Sequence, residues 1–244
     1  MTRRPLAERR RQLTEAAIRA MTRDGVPRTT TRSIAAEAGV SLSVFHYCFD
    51  SKQALLESVI SAITDHYVGV VRQALRPRGT LRETIRAGFG AYWDHVLAHP
   101  GEHMLTYELT QYALRTPGFE QLARRQHERY AEIYRELLEE LSAEMPLDLR
   151  VPAPVLARYL AALTDGLTLN FLVLGQDAAA SAAILDLIAD QVAALVGRSG
   201  GQLPGVHGQP PEVAPVDRVE LGLERGGRDG EDRAGRMGEA VAGH

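Results

Sequence analysis

The chain has little of what marks several whole classes of protein. Among its 244 residues there is one cysteine, Cys48, which excludes an internal disulfide framework and a four-thiolate zinc site. Aromatic residues make up 6% of the chain, with a single tryptophan, so the core must be mainly aliphatic. Lys52 is the only lysine and every other basic side chain is arginine. Arginine abundance is therefore a habit of the whole chain and no sign by itself of a polyanionic partner. No uncharged apolar run approaches the ~18–20 residues that span a bilayer, so no membrane partner is expected. The arginine-rich start lacks the apolar segment that would follow it in a secretory signal. With the lone thiol, this sets the expected location as the reducing cytoplasm. A Ser-His-Asp motif, a phosphate loop and a dinucleotide fingerprint are also missing. The chain is therefore not expected to be an enzyme or to carry a cofactor.

What is present fits one or two globular domains, at 45% hydrophobic and 24% charged residues. The net charge of −3 conceals an asymmetry. Residues 1–52 hold ten basic against five acidic side chains, and residues 53–196 hold twelve against eighteen. A basic head on an acidic body calls for an anionic partner at one end. Residues 197–244 include twelve glycines and four prolines and no aromatic residue. Such a segment buries too little apolar surface to offset its ordering entropy, and a disordered tail is predicted.

The rest reads as all-α, about nine helices. Segments 6–23, 31–38, 42–49 and a long one ending near residue 76 are followed by 81–99, 102–115, 119–144, 154–174 and 178–196. Asp50 with Gln53 suggests a capping box for the long helix, and Ser41 suits the N-cap before Leu42. The long helix has a predicted buried stripe of Leu56, Val59, Ile60, Ile63, Tyr67, Val70, Val71 and Ala74.

The informative window is 31–52. A helix-turn-helix needs a small residue where its helices cross, a turn residue that tolerates the left-handed conformation, and apolar inner faces. Ala35, Gly39 and the set Ile34, Ala38, Val40, Phe45 and Cys48 meet these demands. The outer face then carries Leu42, Ser43, His46 and Tyr47, groups suited to phosphates and base edges. A plain helical hairpin is the alternative.

The run Thr30-Thr31-Arg32-Ser33-Ile34-Ala35, then Glu37-Ala38-Gly39-Val40-Ser41, Phe45-His46-Tyr47-Cys48-Phe49 and Ser51-Lys52-Gln53-Ala54-Leu55-Leu56 resembles the DNA-binding domain of the TetR family of repressors. The resemblance implies a three-helix DNA-binding domain over 1–50. It also implies a helical effector-binding and dimerisation domain over 51–196. Thr31 and Arg32 would start the second helix, with Arg32 reading a guanine edge. Ser41 would open the recognition helix, with Leu42 and Ser43 facing bases. His46 and Tyr47 would meet phosphates or a thymine methyl. Lys52 would meet a phosphate at a helix N-terminus. Many relatives have an aromatic residue or His at the position of Cys48, and several have Lys or Gly at those of Leu42 and Ser43, so the operator sequence does not follow. Arg3, Arg4, Arg9, Arg10 and Arg11 form an arm that either contacts phosphates or is a solvated helix start. The expected partners are double-stranded operator DNA, a small-molecule effector and a second copy of the chain.

In the body, segments 154–174 and 178–196 are apolar nearly all round, which asks for cover on more than one side. A partner subunit supplies it in one reading, a larger internal core in the other. Ala162-Leu163-Thr164-Asp165-Gly166-Leu167 resembles a piece of the BetI-type C-terminal domain. Trp93, Tyr107, Tyr112, Tyr130 and Phe171 are the candidate lining of an effector pocket for an apolar or aromatic compound, with ordinary core packing as the alternative. Asp165 and Asn170 either orient that ligand or satisfy backbone groups. The run His99-Pro100-Gly101-Glu102-His103 fits an H-x-x-E-H pattern, but Pro100-Gly101 breaks the helix it needs. His95 and His99 are four apart, with no third metal ligand evident, and no metal site is expected. The inward Cys48 reads as an inert thiol. The competing function is an all-helical small-molecule carrier or enzyme using the body pocket.

Overall fold

The computed structural model describes residues 5–77, 79–175 and 177–197; the expected tail lies outside them except for Gly197. The described residues form nine helices and no strand: α1 Leu6–Asp24, α2 Thr31–Glu37, α3 Leu42–Cys48, α4 Lys52–Ala74, α5 Leu81–Ala98, α6 Pro100–Arg115, α7 Glu120–Glu144, α8 Ala153–Leu174 and α9 Ala178–Val196. The fold class is all-α, as the apolar periodicity implied.

Several helix starts differ from the expected ones for local reasons. Thr30 and Ser33 build a full capping box on α2, each side chain accepting the other's amide at 3.1 and 2.9 Å. Ser51, not Asp50, caps α4, its hydroxyl accepting the Ala54 N–H at 3.1 Å. Ser41 stands at the N-cap of α3, but its hydroxyl pairs with that of Ser43 at 2.8 Å instead of with the backbone. Pro100 does not merely end α5. It sits in the first turn of α6, where a missing N–H costs nothing.

Three apolar cores hold the helices. The first joins Leu13, Ala17 and Met21 of α1 to Ile34 and Ala35 of α2, Phe45 and Cys48 of α3 and Leu55 to Ile63 of α4. It continues into Leu105 and Leu109 of α6 and Leu122 of α7, so buried packing runs straight across residue 50. The second core gathers Ile85, Phe89, Trp93 and Val96 of α5 with Leu156 and Leu160 of α8 and Leu185 to Val196 of α9. The third is small: Val68 and Val71 of α4 against Ile133 and Leu137 of α7. The α4 stripe differs from its expected form beyond Ile63. Thr64 and Val68 point inward, while Val70 is exposed, because the helix repeat carries the buried face past a strict seven-residue pattern.

Hydrogen bonds tie head to body: Thr14 Oγ1 of α1 lies 2.8 Å from Ser58 Oγ of α4. Gly25, at φ +83°, ends α1, and the next amide, Val26, donates to Glu108 Oε1 of α6 at 2.8 Å. A Cβ on Gly25 would approach that carboxylate to 3.0 Å. The turn between α2 and α3 is made by Gly39 at φ +65°, with nothing within 4 Å of a built Cβ. The cost of a side chain there is therefore conformational alone. Gly39→Ala should lose about 1–2 kcal/mol of stability and Gly39→Asn less, measured by urea denaturation. Equal stability of the alanine variant would contradict the left-handed turn.

Candidate functional site

Two arrangements qualify. The first is the exposed side of α2–α3. Gly39 N–H donates to Ala36 O at 3.0 Å and Val40 N–H to Ala35 O at 2.9 Å, closing the turn. Ile34, Ala35, Ala38, Phe45 and Cys48 are buried between the helices. That burial leaves Ser41, Ser43, His46 and Tyr47 exposed, with Tyr47 61% accessible. Arg32 is exposed and Thr31 partly so. Leu42 is half-buried and packs partly against the head core. Burial also pushes the Cys48 thiol pKa up, which keeps it protonated and unreactive.

The basic residues of the head have divided duties. Arg10 donates to Cys48 O at 2.8 Å and lies 4.6 Å over the Phe49 ring, fixing α1 to the end of α3. Arg9 donates to Gln12 at 3.1 Å, and Arg11 lies 3.7 Å from Glu15. Arg19 and Arg23 both pair with Glu37, at 3.2 and 3.1 Å. Arg3 and Arg4 lie outside the described residues. Lys52, in the first turn of α4, donates to Tyr112 Oη at 3.2 Å and sits 4.7 Å over its ring. It is thereby poised between the exposed surface and α6.

The second arrangement is a narrow cavity of about 80 Å³ among α4, α5, α6, α7 and α8. Five tyrosines line it: Tyr67, Tyr92, Tyr107, Tyr130 and Tyr134. Burial raises the pKa of all five phenols, so they remain neutral donors. Tyr107 donates to the backbone oxygen of Asp165 at 2.7 Å, and Tyr134 to Thr164 at 2.9 Å. Tyr92 shares a 2.7 Å bond with Thr168. Among the described residues Asp165 is the one carboxylate on the wall, and it also borders an outer groove between α7 and α8 together with Tyr130 and Ala161. His103 lines the cavity as well, and burial lowers its pKa to about 4.

The seven residues expected to line one pocket are not brought together. Tyr107, Tyr130 and Asp165 are on the cavity. Trp93, Asn170 and Phe171 border a separate groove between α8 and α9, Trp93 and Phe171 packing edge to face at 5.2 Å. Asn170 donates to Gly166 O at 2.8 Å, which serves its own helix. Tyr112 lies on the first core beside Phe119 and Lys52, because that face of α6 turns toward the head. The sequence reading missed Tyr92 and Tyr134, and gave Tyr67 to a core stripe. The one available signal was that these rings lie on helix faces whose other members are apolar.

Comparison with known proteins agrees with this geometry. The profile of bacterial regulatory proteins of the tetR family matches residues 13–59, and that of the BetI-type transcriptional repressor C-terminal domain matches residues 77–197. The nicotine-responsive transcriptional repressor HdnoR of Paenarthrobacter nicotinovorans is 26% identical over 67% of this chain and 84% of its own. The transcriptional activator FasR of Mycolicibacterium smegmatis is 35% identical over 43% of this chain and 48% of its own. Among solved structures, a TetR-family regulator from Rhodococcus sp. superposes with a TM-score of 0.65 at 18% identity, over 76% of this chain and 98% of that one. The multidrug binding protein EbrR, solved with imidazole, superposes at 0.56 with 23% identity, over 78% and 96%. The head carrying the exposed face of α3 and the helical body behind it are thus both accounted for, and the chain belongs to the TetR family of transcriptional regulators.

Proposed function

We propose that the chain is a homodimeric cytoplasmic repressor that grips a quasi-palindromic operator and is released by a small molecule bound in the tyrosine-lined cavity. The observation that carries this reading is the double use of α4. Its first turn holds Lys52, four residues past the end of α3, and Tyr67, Val68 and Val71 farther along the same helix form cavity wall. Ligand pockets usually enclose roughly 300–1,000 Å³, several times the present cavity. An effector must therefore spread these walls. A displaced α4 would carry the head with it, change the spacing of two recognition helices and weaken the grip on successive major grooves.

Chemistry narrows the effector. A cage of neutral aromatic rings with one carboxylate near its outer border favours a compact organic amine, through ring quadrupoles and one charge pair. The response of HdnoR to nicotine supports the same class. The dimer would form on α8 and α9. Leu169, Val173 and Leu174 of α8 and Ile184 and Leu187 of α9 are exposed, Leu174 to 78%. So much aliphatic surface on adjacent helices is what a four-helix interface between two copies would bury.

Three measurements test this. In binding to duplexes selected from random DNA, Tyr47→Ala and Lys52→Ala should both weaken all sequences, with only Lys52→Ala lowering the salt slope by about one, whereas Arg32→Ala should relax one base pair by roughly 1–3 kcal/mol. Wild-type chain that selects no sequence would overturn the reading. Leu187→Glu should convert a dimer to a monomer in light scattering and abolish tight operator binding; a monomeric wild type would refute the interface. In calorimetric titration with a panel of aromatic and alkyl amines, Asp165→Asn should bind the best one at least tenfold more weakly while keeping its operator affinity. An unchanged affinity would remove the amine assignment.

A further inference from the structure

The corner between α5 and α6 gathers histidines that neither arrangement above explains. His95 lies in the last turn of α5, His99 between α5 and α6, and His66 reaches over from α4. One ring nitrogen from each of the three lies within 4.8 Å of the others. His66 Nδ1 and His95 Nε2 are 3.2 Å apart. Glu102 completes the group, one carboxylate oxygen 3.8 Å from His66 Nδ1 and the other 3.7 Å from His99 Nδ1. The sequence offered His95 and His99 with no third donor; the fold supplies it from a helix about thirty residues away.

A tetrahedral zinc ion with bonds of about 2.0–2.1 Å places its donors roughly 3.3–3.4 Å apart. The His66–His95 edge already has nearly that length. The remaining edges must shorten by ångström-scale rotations of His66, His99 and Glu102, whose side chains are 51%, 37% and 25% accessible. His95, the buried member, is held in place. Its other nitrogen, Nδ1, is 3.0 Å from His103 Nε2. That is the outer hydrogen bond by which a ligating imidazole is usually oriented and its tautomer fixed. In the tautomer that carries its proton on Nδ1, His95 donates to His103 and turns its Nε2 lone pair toward the cluster. The three-nitrogen, one-oxygen set suits zinc and its transition-metal neighbours and does not suit magnesium or calcium, which prefer oxygen.

We propose that His66, His95 and His99, with Glu102 as fourth donor, form a binding site for a divalent transition metal of the zinc type. An ion there would cross-link α4 to the α5–α6 corner. Because His103 touches both His95 and the cavity, the metal shell and the cavity wall would share one ring.

The test uses untagged full-length chain stripped with a chelator, and the metal alone. Zinc titrated against a chromogenic competitor should bind at one equivalent per chain, and cobalt should give the intense visible bands of a tetrahedral site. His66→Ala and Glu102→Gln alter accessible side chains and should keep the wild-type circular dichroism spectrum. His66→Ala should lose both signals. His103→Gln should retain the stoichiometry with affinity lowered about 10–100-fold. Zinc should raise the melting temperature of the wild type and leave that of His66→Ala unchanged. Absence of a one-equivalent site, an octahedral cobalt spectrum, or equal zinc affinity in His66→Ala would each overturn the proposal. None of these readouts involves DNA, so the site stands or falls separately from the operator reading.

Discussion

The structure depends on α4 burying one face in two different cores. Leu55, Leu56, Val59, Ile60 and Ile63 are locked into the core that also holds the turn of α2 and α3. Val68 and Val71 are locked into the core shared with α7. A 23-residue helix is about 35 Å long and stiff, so neither end is free of the other. Fully burying each of these aliphatic side chains contributes roughly 1.5–3 kcal/mol, far more than any exposed ion pair on the surface. Under the proposed function, rigid transmission along this helix would carry the effect of a ligand in the cavity to the head.

The head itself is balanced between attachment and availability. Arg10, Arg19 and Arg23 hold helices together, and Lys52 rests on a tyrosine of α6. Val26 is tied to Glu108 of the same helix. The head is thus seated on α6 as well as carried by α4, through these polar contacts and through the buried packing of Leu105 and Leu109 in the first core.

The sequence made the helix-turn-helix legible because its demands are local. A crossing alanine, a left-handed glycine and an apolar inner face all fall within twenty residues, and α3 has room for few other outward residues. The nine helices were legible for the same reason, through proline, glycine and apolar spacing. The cavity was not, because it is built by five helices far apart in the chain. Tyr67 and Tyr134 look like core residues until their neighbours across the gap are known, and Tyr112 looks like a pocket residue until α6 is seen to turn that face toward Lys52. The histidine cluster shows the limit most plainly. Spacing reveals His95 and His99, and only the packing of α4 against α5 reveals His66.

The most direct test of the coupling along α4 is the distance between the two heads of a dimer. A spin label at an exposed site of α1, in Glu15→Cys, avoids the buried native thiol and reports that distance by pulsed dipolar spectroscopy. Coupling along α4 predicts one narrow distance on operator DNA and a shifted distance when the cavity is filled by an amine that releases the DNA. The same distance in both states, or no intermolecular distance at all, would contradict it.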